Sequence, residues 1–368
     1  MKLTLLIHSL DGGGAEKTFA QMANYWTKAG HDVTLITLDR RESSRYHVSD
    51  QVVWRELDLM TTSHSLWEAI RHNRQRVRAI REAIVQADGD IVISFTDIVN
   101  VLTLLACRRL KQPVIICERT DPRIHRIGRV WAWLRRRTYK QSAAIVVQTA
   151  PIREFLTSMA AGVPIHVVRN CIWPDSLPEE TRPLQQRSKQ VAAMGRLSYE
   201  KGFDLLIEAF SRIANEHPEW SLRIIGDGPL RDALQSQIDQ AGLLQRVELV
   251  GWSDNPSRIL ADSQVFVLSS QYEGFPNALL EAMACGTPAI SFDCESGPRD
   301  IIRHEVDGLL VPAGDVDALA DGIFRLIADA SDRTRLADRA LEVRQRFSID
   351  RFFSDWDDIL DSVRERGS

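Results

Sequence analysis

Short apolar runs alternate with stretches of helical spacing along the first half of the chain. The first run, residues 2–9, leads into a glycine cluster, after which Phe19, Met22, Ala23 and Trp26 recur at helical spacing. Further apolar runs lie at 31–39, 90–95, 113–118, 143–149 and 165–170. Strands that alternate with helices are typical of a parallel, doubly wound sheet. The pattern predicts an α/β domain over residues 1–172.

A second series of the same kind follows a polar, proline-containing segment, and residues 173–189 are predicted to be an interdomain linker. The later apolar runs lie at 190–196, 221–228, 246–251, 264–270, 287–293 and 307–312. They predict a second parallel α/β domain over residues 190–348. Residues 349–368 carry an apolar stripe and are predicted to form a helix that crosses back to the first domain. Ligands are expected in a cleft between the carboxyl ends of the strands of the two domains.

The composition is that of an ordinary globular protein. Of 368 residues, 44% are apolar and 26% charged, which excludes a disordered or fibrous chain and agrees with domains of roughly 150 residues. The apolar stretch 91–107 is interrupted by Asp97 and Asn100, so we do not expect it to span a membrane. We also expect no signal peptide. Five cysteines without C-x-x-C spacing argue against disulfides or a zinc site and favour a reducing cytoplasm.

The net charge of −4 conceals an asymmetry between the two halves of the chain. Residues 1–182 contain 26 Lys and Arg against 19 Asp and Glu, whereas residues 183–368 contain 20 against 31. The first half is therefore basic and the second acidic. We expect an anionic partner, such as a substrate or a surface, to face the first half.

The most specific motif is the string EGFPNALLE at residues 273–281. Pro276 suits the first turn of a helix, which places Glu273 in the preceding loop and Glu281 one to two turns into the helix. Free N–H groups at such a helix start can face a phosphate or a sugar oxygen. A surface loop followed by an ordinary helix is the alternative interpretation.

With this string the chain resembles family 4 of the retaining GT-B glycosyltransferases over nearly its whole length. The segments that carry the resemblance are GGGAE at 12–16, GRLSYEKG at 195–202, IGDGP at 225–229, EGFPNALLE at 273–281 and DGLLVP at 307–312. Residues 94–97 (SFTD) and 117–122 (CERTDP) resemble the branch that extends bacterial surface glycans. The resemblance implies the GT-B fold, in which two Rossmann-like parallel-sheet domains face a central cleft.

The resemblance also implies roles for the donor residues. Arg196 and Lys201 follow a strand closely enough for both to reach a ligand, and two cations can offset the two charges of a departing nucleoside diphosphate. In the family these positions bind the donor diphosphate. Glu281 would hold the ribose hydroxyls, and Glu273 would contact the transferred sugar. We expect Arg196, Lys201 and Glu273 to be the catalytic residues.

Backbone groups complete the predicted donor site. Residues 274–277 (Gly274, Phe275, Pro276 and Asn277) would present backbone amides to the sugar. Gly226 and Gly228 lie at a strand end where the nucleotide base should rest, and Trp252 would either stack on the base or be buried. After the first strand, Gly13 and Gly14 would face a donor phosphate or the acceptor. An NAD site is disfavoured there, because Lys17 stands where G-x-G-x-x-G requires glycine.

No metal or other cofactor is expected. Asp88 and Asp90 begin a strand, while Asp315 and Asp317 begin a helix, where an aspartate caps free N–H groups. These pairs lie outside the predicted cleft, and the two cations of the donor site already supply positive charge. The nucleotide-sugar would be a substrate.

The acceptor side is less defined by the sequence. Many members of the family have a histidine after the fourth strand of the first domain, where this chain has Glu118 and Arg119. Either residue could orient the acceptor, and His125 follows several residues later. His8, at the end of the first strand, is another candidate for the acceptor side, but a core histidine is the favoured interpretation. Because front-face attack in this class can use the leaving phosphate as base, a dedicated base is not required.

A basic stripe suggests a membrane or an acceptor diphosphate as a partner. Arg71, Arg74, Arg78 and Arg81 lie on one face of a predicted helix. The adjacent apolar stripe consists of Leu66, Ile70, Val77, Ile80 and Ile84. A second cluster, residues 131–137 (WAWLRRR), combines aromatic and cationic side chains as interfacial segments do. A solvated face on a core-packed helix is the alternative, and no nucleic-acid-binding module is recognisable.

Together these features predict a retaining, metal-independent hexosyltransferase. It would move a sugar from a nucleotide donor, preferably a UDP-sugar, to a glycan or polyprenyl-diphosphate-linked acceptor in bacterial surface-polysaccharide or glycoprotein assembly. The enzyme would be cytoplasmic and peripheral on the inner membrane. The alternatives are a sugar-nucleotide epimerase of the same fold, a non-catalytic scaffold, and an NAD oxidoreductase, which the glycine spacing disfavours.

Overall fold

The computed structural model of the protein describes residues 1–61, 65–125, 127–178 and 181–367, without the side chain of Leu66. Its internal contacts divide the chain into two compact units. Unit 1 comprises Met1–Arg169 and the chain from Phe352 onward, and unit 2 comprises Asn170–Arg351. Residues 173–189, for which the sequence predicts a linker, are counted with unit 2.

Unit 1 alternates strands with helices, as the apolar runs predict. Its elements are β1 (Lys2–Ile7), α1 (Gly14–Lys28), β2 (Asp32–Thr37), β3 (Val53–Glu56), α2 (Leu66–Ala87), β4 (Ile91–Phe95), α3 (Asp97–Ala106), β5 (Val114–Cys117), α4 (Arg129–Thr138), β6 (Ala144–Val147), α5 (Ala150–Met159) and β7 (Ile165–Val167). The strands form a parallel sheet in the order β3-β2-β1-β4-β5-β6-β7. The chain therefore changes direction across the sheet between β1 and β4.

The core of unit 1 follows from that arrangement. Strands covered by helices on both faces read as continuous apolar runs, and every residue of β4, β5 and β6 is buried. A final helix, α14 (Ile349–Gly367), packs against α1, where Phe353 stacks on Tyr25 with ring centroids 3.4 Å apart. Trp356 meets Trp26 edge to face at 5.5 Å. The apolar stripe near the end of the chain thus completes unit 1.

Unit 2 repeats the architecture. Its elements are β8 (Ser188–Met194), α6 (Phe203–Ile213), β9 (Ser221–Ile225), α7 (Arg231–Gln240), β10 (Val247–Gly251), α8 (Pro256–Asp262), β11 (Ser263–Leu268), α9 (Asn277–Ala284), β12 (Ala289–Asp293), α10 (Pro298–Ile301), β13 (Gly308–Pro312), α11 (Val316–Ala328), α12 (Ala330–Ala340) and α13 (Val343–Arg346). The strands form a parallel sheet in the order β10-β9-β8-β11-β12-β13. The predicted pair of parallel α/β sheets is confirmed.

Short 3₁₀ segments connect some of these elements. They are Arg41–Ser43, Tyr139–Gln141, Pro174–Ser176, Leu184–Gln186 and Tyr199–Lys201. Within the described residues, no helix is both long enough and apolar enough to cross a membrane.

Candidate functional site

The loops after β8 and β11 are neighbours at the point where the sheet of unit 2 changes direction. β8 and β11 are adjacent parallel strands, with Val191 opposite Val265 and Ala192 opposite Phe266. From β8 the chain proceeds toward β10, and from β11 it proceeds toward β13. Ligands of open α/β sheets bind at the carboxyl ends of strands beside such a switch point. The predicted donor residues follow these two strands.

Lys201 and Glu273 meet at this switch point. Lys201 ends the 3₁₀ turn after β8, and its Nζ lies 2.6 Å from Glu273 Oε1 in the loop after β11. Ser270 Oγ donates a second hydrogen bond to the same oxygen at 2.7 Å. The Glu273 side chain is 9% exposed and that of Lys201 22%, so the pair is shielded from bulk water. Breaking such a pair leaves an uncompensated charge in a partly buried place.

Backbone contacts hold the two loops together. Ser269 Oγ donates to the Lys201 carbonyl at 2.8 Å, and the N–H of Gln271 donates to the Glu200 carbonyl at 2.8 Å. Gly202 has φ 58°, and a Cβ there would overlap the Ser269 carbonyl oxygen. Glycine is therefore needed directly after Lys201, because any side chain there would keep the loop after β8 from approaching the loop after β11.

Arg196 is the available cation of the site. It follows β8 by two residues and its side chain is exposed. Its guanidinium makes no hydrogen bond or ion pair within the described residues. Lys201, by contrast, is already paired with Glu273. The site therefore combines one free guanidinium with one ammonium–carboxylate pair.

Gly226 and Gly228 pack against the loop that carries Arg196. A Cβ on Gly226 would overlap the carbonyl oxygen of Gly195, and one on Gly228 would overlap the backbone of Leu197. The N–H of Leu197 donates to the Asp227 carbonyl at 3.0 Å. These glycines thus have a packing role that is independent of any contact with a nucleotide base.

The predicted helix after Pro276 is α9, Asn277–Ala284. Pro276 is the residue before the helix, rather than a residue of its first turn, and Asn277 begins α9. Glu281 lies in the second turn, where its side chain is buried. Ser176 Oγ donates to Glu281 Oε1 at 3.2 Å, and Asn170 Nδ2 donates to Asn277 Oδ1 at 2.6 Å. Sequence reasoning missed Ser176 and Asn170, because they lie in or beside a segment without periodicity.

The residues between Glu273 and α9 are fixed from several sides. Phe275 is buried against Phe347, with ring centroids 5.9 Å apart. Its side chain is therefore part of the hydrophobic core. Ser296 Oγ donates to the Gly274 carbonyl at 3.3 Å. Trp252, after β10, is 42% exposed, and its Nε1 donates to Asp254 Oδ1 at 3.1 Å. An exposed Trp252 agrees with the stacking alternative and not with the buried one.

In unit 1 the glycine loop precedes α1. Gly13 is the residue before the helix and Gly14 begins it. The hydroxyl of Tyr46 accepts from the Gly13 N–H at 2.9 Å and donates to the Gly13 carbonyl at 3.0 Å, a contact that no sequence signal indicates. His8 Nε2 lies 3.2 Å from Glu16 Oε1, and the His8 side chain is 31% exposed. The prediction that His8 belongs to the core is therefore wrong.

Glu118 and Arg119 follow β5, and both are buried. Tyr139 donates its hydroxyl hydrogen to Glu118 Oε1 at 2.5 Å, and Arg135 Nε lies 3.5 Å from the same oxygen. Burial raises the pKa of Glu118 to about 7, against the opposing effect of the Arg135 guanidinium. The Arg119 guanidinium lies over the Phe95 ring at 4.6 Å.

The four arginines of α2 differ in their surroundings. Arg71 and Arg74 are exposed, whereas Arg78 pairs with Glu82 at 2.9 Å. Arg81 Nη1 donates to the carbonyls of Ala106 and Arg108 at 2.8 and 2.9 Å, so it closes the end of α3. The four arginines lie on one helix, as predicted, but Arg78 and Arg81 are already engaged in contacts within unit 1.

The apolar stripe of α2 is divided between core and surface. Ile80 and Ile84 are buried, and Val77 packs against the same core cluster. Ile70 is 46% exposed, and its neighbour Trp67 is 82% exposed. The predicted contribution of Leu66 falls on a side chain outside the described residues. The first turns of α2 thus present apolar groups to solvent, as does Val85 near its end, which is 51% exposed.

In α4 the aromatic and basic cluster also has two sides. Trp133 and Val130 are exposed, at 55% and 69%, and Arg137 lies over the Trp133 ring at 5.1 Å. Trp131 packs against the core, and the side chain of Arg135 is only 5% exposed. The aromatic and basic side chains that could contact a membrane surface are therefore those on the exposed face of α4.

Two of the acidic residues accept hydrogen bonds from backbone N–H groups, and the predicted helix cap is one of these. Asp315 Oδ1 accepts from the N–H of Ala318 at 3.0 Å at the start of α11, and Asp90 Oδ2 accepts from the N–H of Lys2 at 2.8 Å. In the described portion of the chain, no group of three or more His, Cys, Asp or Glu side chains is placed to hold a metal ion.

Two family models match the chain in succession. The model described as Glycosyltransferase Family 4 matches residues 12–176, and the model described as Glycosyl transferases group 1 matches residues 179–343. The matches correspond closely to unit 1 and unit 2, and the donor residues of the second sheet lie within the second match.

Among curated proteins, two relatives are similar over their whole length. The Campylobacter jejuni GalNAc-α-(1→4)-GalNAc-α-(1→3)-diNAcBac-PP-undecaprenol α-1,4-N-acetyl-D-galactosaminyltransferase is 26% identical over 365 residues, 99% of either chain. The amylovoran biosynthesis glycosyltransferase AmsD of Erwinia amylovora is 28% identical over 98% of this chain and 99% of its own. An exopolysaccharide phosphotransferase of Streptomyces coelicolor is 37% identical over 226 residues, but these cover only 24% of that protein.

Among solved structures, the Anabaena protein HepE in complex with UDP is similar in fold. It superposes with a TM-score of 0.79 at 19% identity, over 98% of this chain and 100% of its own. Identity at this level speaks for the fold alone. The two parallel sheets of this chain are accordingly those of a GT-B fold.

Proposed function

We propose that this chain, which belongs to the family 4 glycosyltransferases, is a retaining enzyme that uses a UDP-sugar. Unit 2 would hold the donor, with Arg196 and Lys201 at the diphosphate, Glu273 at the transferred sugar and Glu281 at the ribose. The acceptor would be a glycan or a polyprenyl-diphosphate-linked sugar in bacterial surface-polysaccharide or glycoprotein assembly.

The single observation that carries the proposal is the meeting of Lys201 and Glu273 at the switch point of the unit 2 sheet. Nζ and Oε1 lie 2.6 Å apart, and Ser270 holds the same carboxylate. A preorganised cation beside a leaving diphosphate is worth a few kcal/mol in the transition state, roughly 10²–10³ in rate. Arg196 adds a free guanidinium at the end of the same strand.

Metal independence is part of the proposal. It is supported by Arg196 and Lys201, two cationic side chains placed where they could face a leaving nucleoside diphosphate. The preference for uridine is supported by the likeness to HepE, whose structure contains UDP. The lipid-linked acceptor is supported by the likeness to the Campylobacter enzyme, whose name specifies an undecaprenyl-diphosphate glycan.

Peripheral attachment to the cytoplasmic face of the inner membrane is supported by two exposed faces of unit 1. Trp67 and Ile70 lie beside Arg71 and Arg74 on α2, and Trp133 lies beside further arginines on α4. Both helices pack on α3, and in a parallel α/β sheet their N-terminal turns lie at the edge where the strands end. Aromatic and cationic side chains at that edge suit an anionic lipid surface and the diphosphate of an acceptor.

A donor panel tests the proposal. The full chain is incubated in EDTA with UDP-glucose, UDP-galactose, UDP-N-acetylglucosamine, UDP-N-acetylgalactosamine or GDP-mannose, and with octyl α-glycosides as acceptors. We expect one UDP-sugar to be consumed and an axial product linkage to appear by NMR. Lys201→Ala should abolish transfer, while the exposed Lys189→Ala serves as its control.

Three outcomes would contradict the proposal. Inversion at the anomeric carbon would exclude the retaining mechanism. An epimerised sugar nucleotide without transfer would favour the epimerase alternative. Consumption of none of the donors would favour the scaffold alternative.

A further inference from the structure

Several charged side chains lie at the carboxyl end of the unit 1 sheet. They are not among the residues assigned to the donor. Asp97 comes directly after Thr96 at the end of β4, and Glu118 follows β5. The two strands are hydrogen-bonded neighbours, with Phe95 opposite Cys117. This edge borders the switch point between β1 and β4, where a parallel sheet is expected to hold a ligand.

The backbone that presents Asp97 is held in an unfavourable conformation. Thr96 has φ 72° and ψ 150°, a region that a β-branched residue rarely adopts. Its N–H donates to the Cys117 carbonyl at 3.2 Å, and its carbonyl accepts from the Asn100 N–H at 2.8 Å. Strain of this kind persists where surrounding bonds enforce it, and it clusters at functional sites. Here it fixes the direction in which α3 begins, and with it the backbone of Asp97.

Arg135 links Asp97 to Glu118 beneath the surface. Its Nη2 lies 3.5 Å from Asp97 Oδ2 and its Nε 3.5 Å from Glu118 Oε1. Within the described residues, neither nitrogen has a hydrogen-bond partner. A buried cluster of ions is often no more stabilising than apolar side chains of the same volume. Its presence therefore favours a role in holding Asp97 over a role in stability.

His125 is the accessible end of this group. Its Nε2 lies 3.4 Å from Asp97 Oδ2, and its side chain is 45% exposed. The turn that carries it is fixed, because the His125 N–H donates to the Asp121 carbonyl at 2.9 Å and the buried Asp121 carboxylate pairs with Arg123. A carboxylate behind an imidazole selects the tautomer and orientation of the ring and leaves the second nitrogen for a substrate.

We propose that His125, oriented by Asp97, accepts a hydrogen bond from the nucleophilic hydroxyl group of the sugar acceptor. Arg135 positions Asp97, and Glu118 with Tyr139 holds Arg135 from behind. The inference rests on the proposed function, because it presupposes a hydroxyl acceptor. His125 is then the residue that touches the acceptor, and the buried groups act through it.

The test compares variants in two reactions of the same protein. Full-length His125→Gln and Asp97→Asn are assayed with the sugar nucleotide that the wild type consumes, first with octyl α-glycosides and then with water as the only acceptor. We expect kcat/KM for the glycoside to fall about tenfold or more in both variants. Donor hydrolysis and UDP binding should stay at the wild-type level. His47→Gln, which changes an exposed histidine of the same unit, should leave all three unchanged.

A rescue experiment separates a direct contact from a structural effect. In His125→Ala, added imidazole should restore part of the transfer to the glycoside, whereas it should not restore transfer in Lys201→Ala. Wild-type transfer rates in both His125→Gln and Asp97→Asn would overturn the inference. Parallel losses of transfer, hydrolysis and UDP binding would also overturn it, since they indicate general damage. A wild type that neither binds UDP nor consumes any donor would instead remove the proposed function itself.

Discussion

Lys201 Nζ lies 2.6 Å from Glu273 Oε1, although 72 positions separate the two residues in the chain. The contact exists because β8 and β11 are adjacent in the sheet and each residue follows one of these strands by a few positions. It places a cation and a carboxylate together at the switch point before any ligand is bound. The candidate site is therefore organised by strand order and not by sequence proximity.

Replacement of Glu273 should separate sugar positioning from nucleotide binding. In Glu273→Gln the side chain keeps its shape and the hydrogen bond from Ser270, but loses the charge that faces Lys201. If Glu273 contacts the transferred sugar, kcat/KM for the donor should fall about ten- to a hundredfold, the worth of a charged hydrogen bond. UDP affinity, measured by calorimetry, should change by less than threefold. A tenfold loss of UDP affinity would show that Glu273 acts on the nucleotide part.

Gly226 should tolerate no side chain. Its φ is 134°, and a Cβ would overlap the Gly195 carbonyl oxygen. We expect Gly226→Ala to lower the free energy of unfolding of unit 2 by more than about 2 kcal/mol, because either the backbone at residue 226 or that at Gly195 must move. Gly314→Ala is the matched control, since Gly314 has φ 77° but open space around it, and should cost about 1 kcal/mol. Equal effects of the two substitutions in chemical denaturation would contradict the packing role.

The fold and the meeting of the loops after β8 and β11 are the parts that the sequence predicts well. Apolar runs at 190–196 and 264–270 indicate buried parallel strands, and the conspicuous residues Arg196, Lys201 and Glu273 lie at or shortly after the ends of these runs. Since functional groups of parallel sheets follow the strands, periodicity and motif together suffice there. Ser176 was not predictable, because its contact with Glu281 depends on how an aperiodic segment is laid against α9.

Surface assignments on the helices were predicted less well, for a physical reason. Spacing shows which residues share a helix face, but it does not show what covers that face. Arg81 belongs to the same stripe as Arg74, but the C-terminal end of α3 lies beside Arg81. There the Arg81 guanidinium donates a hydrogen bond to the carbonyl of Ala106. Ile70 belongs to the same stripe as Ile80, yet only the latter lies above the core.

Glu118 should make the stability of the protein depend on pH. Its pKa is raised from 4.5 to about 7 in the folded state, mainly by burial, so the folded state holds a proton that the unfolded state releases. The free energy of unfolding should therefore decline as pH rises from about 4.5 to 7, by an amount on the order of 1–3 kcal/mol. Glu118→Gln removes this titration.

Urea denaturation from pH 5 to 8 checks the prediction. The difference in unfolding free energy between Glu118→Gln and the wild type should move in favour of the variant as pH rises. Glu154→Gln, which alters an exposed carboxylate of the same unit, should keep a constant difference. A pH-independent difference for Glu118→Gln would mean that Glu118 titrates alike in both states.

Binding to lipid should depend on the exposed residues of α2 and not on the whole stripe. With vesicles that contain phosphatidylglycerol, we expect Arg71→Gln and Arg74→Gln each to weaken binding about fivefold at low salt, near 1 kcal/mol per cation. Arg78→Gln should have a smaller effect, because Arg78 is paired with Glu82. Trp133→Ser should weaken binding at high salt as well. Equal effects of the three arginine substitutions in a sedimentation assay would contradict this division.

The most direct test of the donor site is a calorimetric titration of UDP into the full chain in EDTA. Wild-type protein is compared with Arg196→Gln and with the control Arg223→Gln, whose arginine lies on β9 and pairs with Glu248. We predict that the wild type and the control bind UDP alike and that Arg196→Gln binds at least tenfold more weakly. Unchanged affinity in Arg196→Gln, or a wild type that does not bind UDP, would contradict the assignment of unit 2 as a UDP-sugar site.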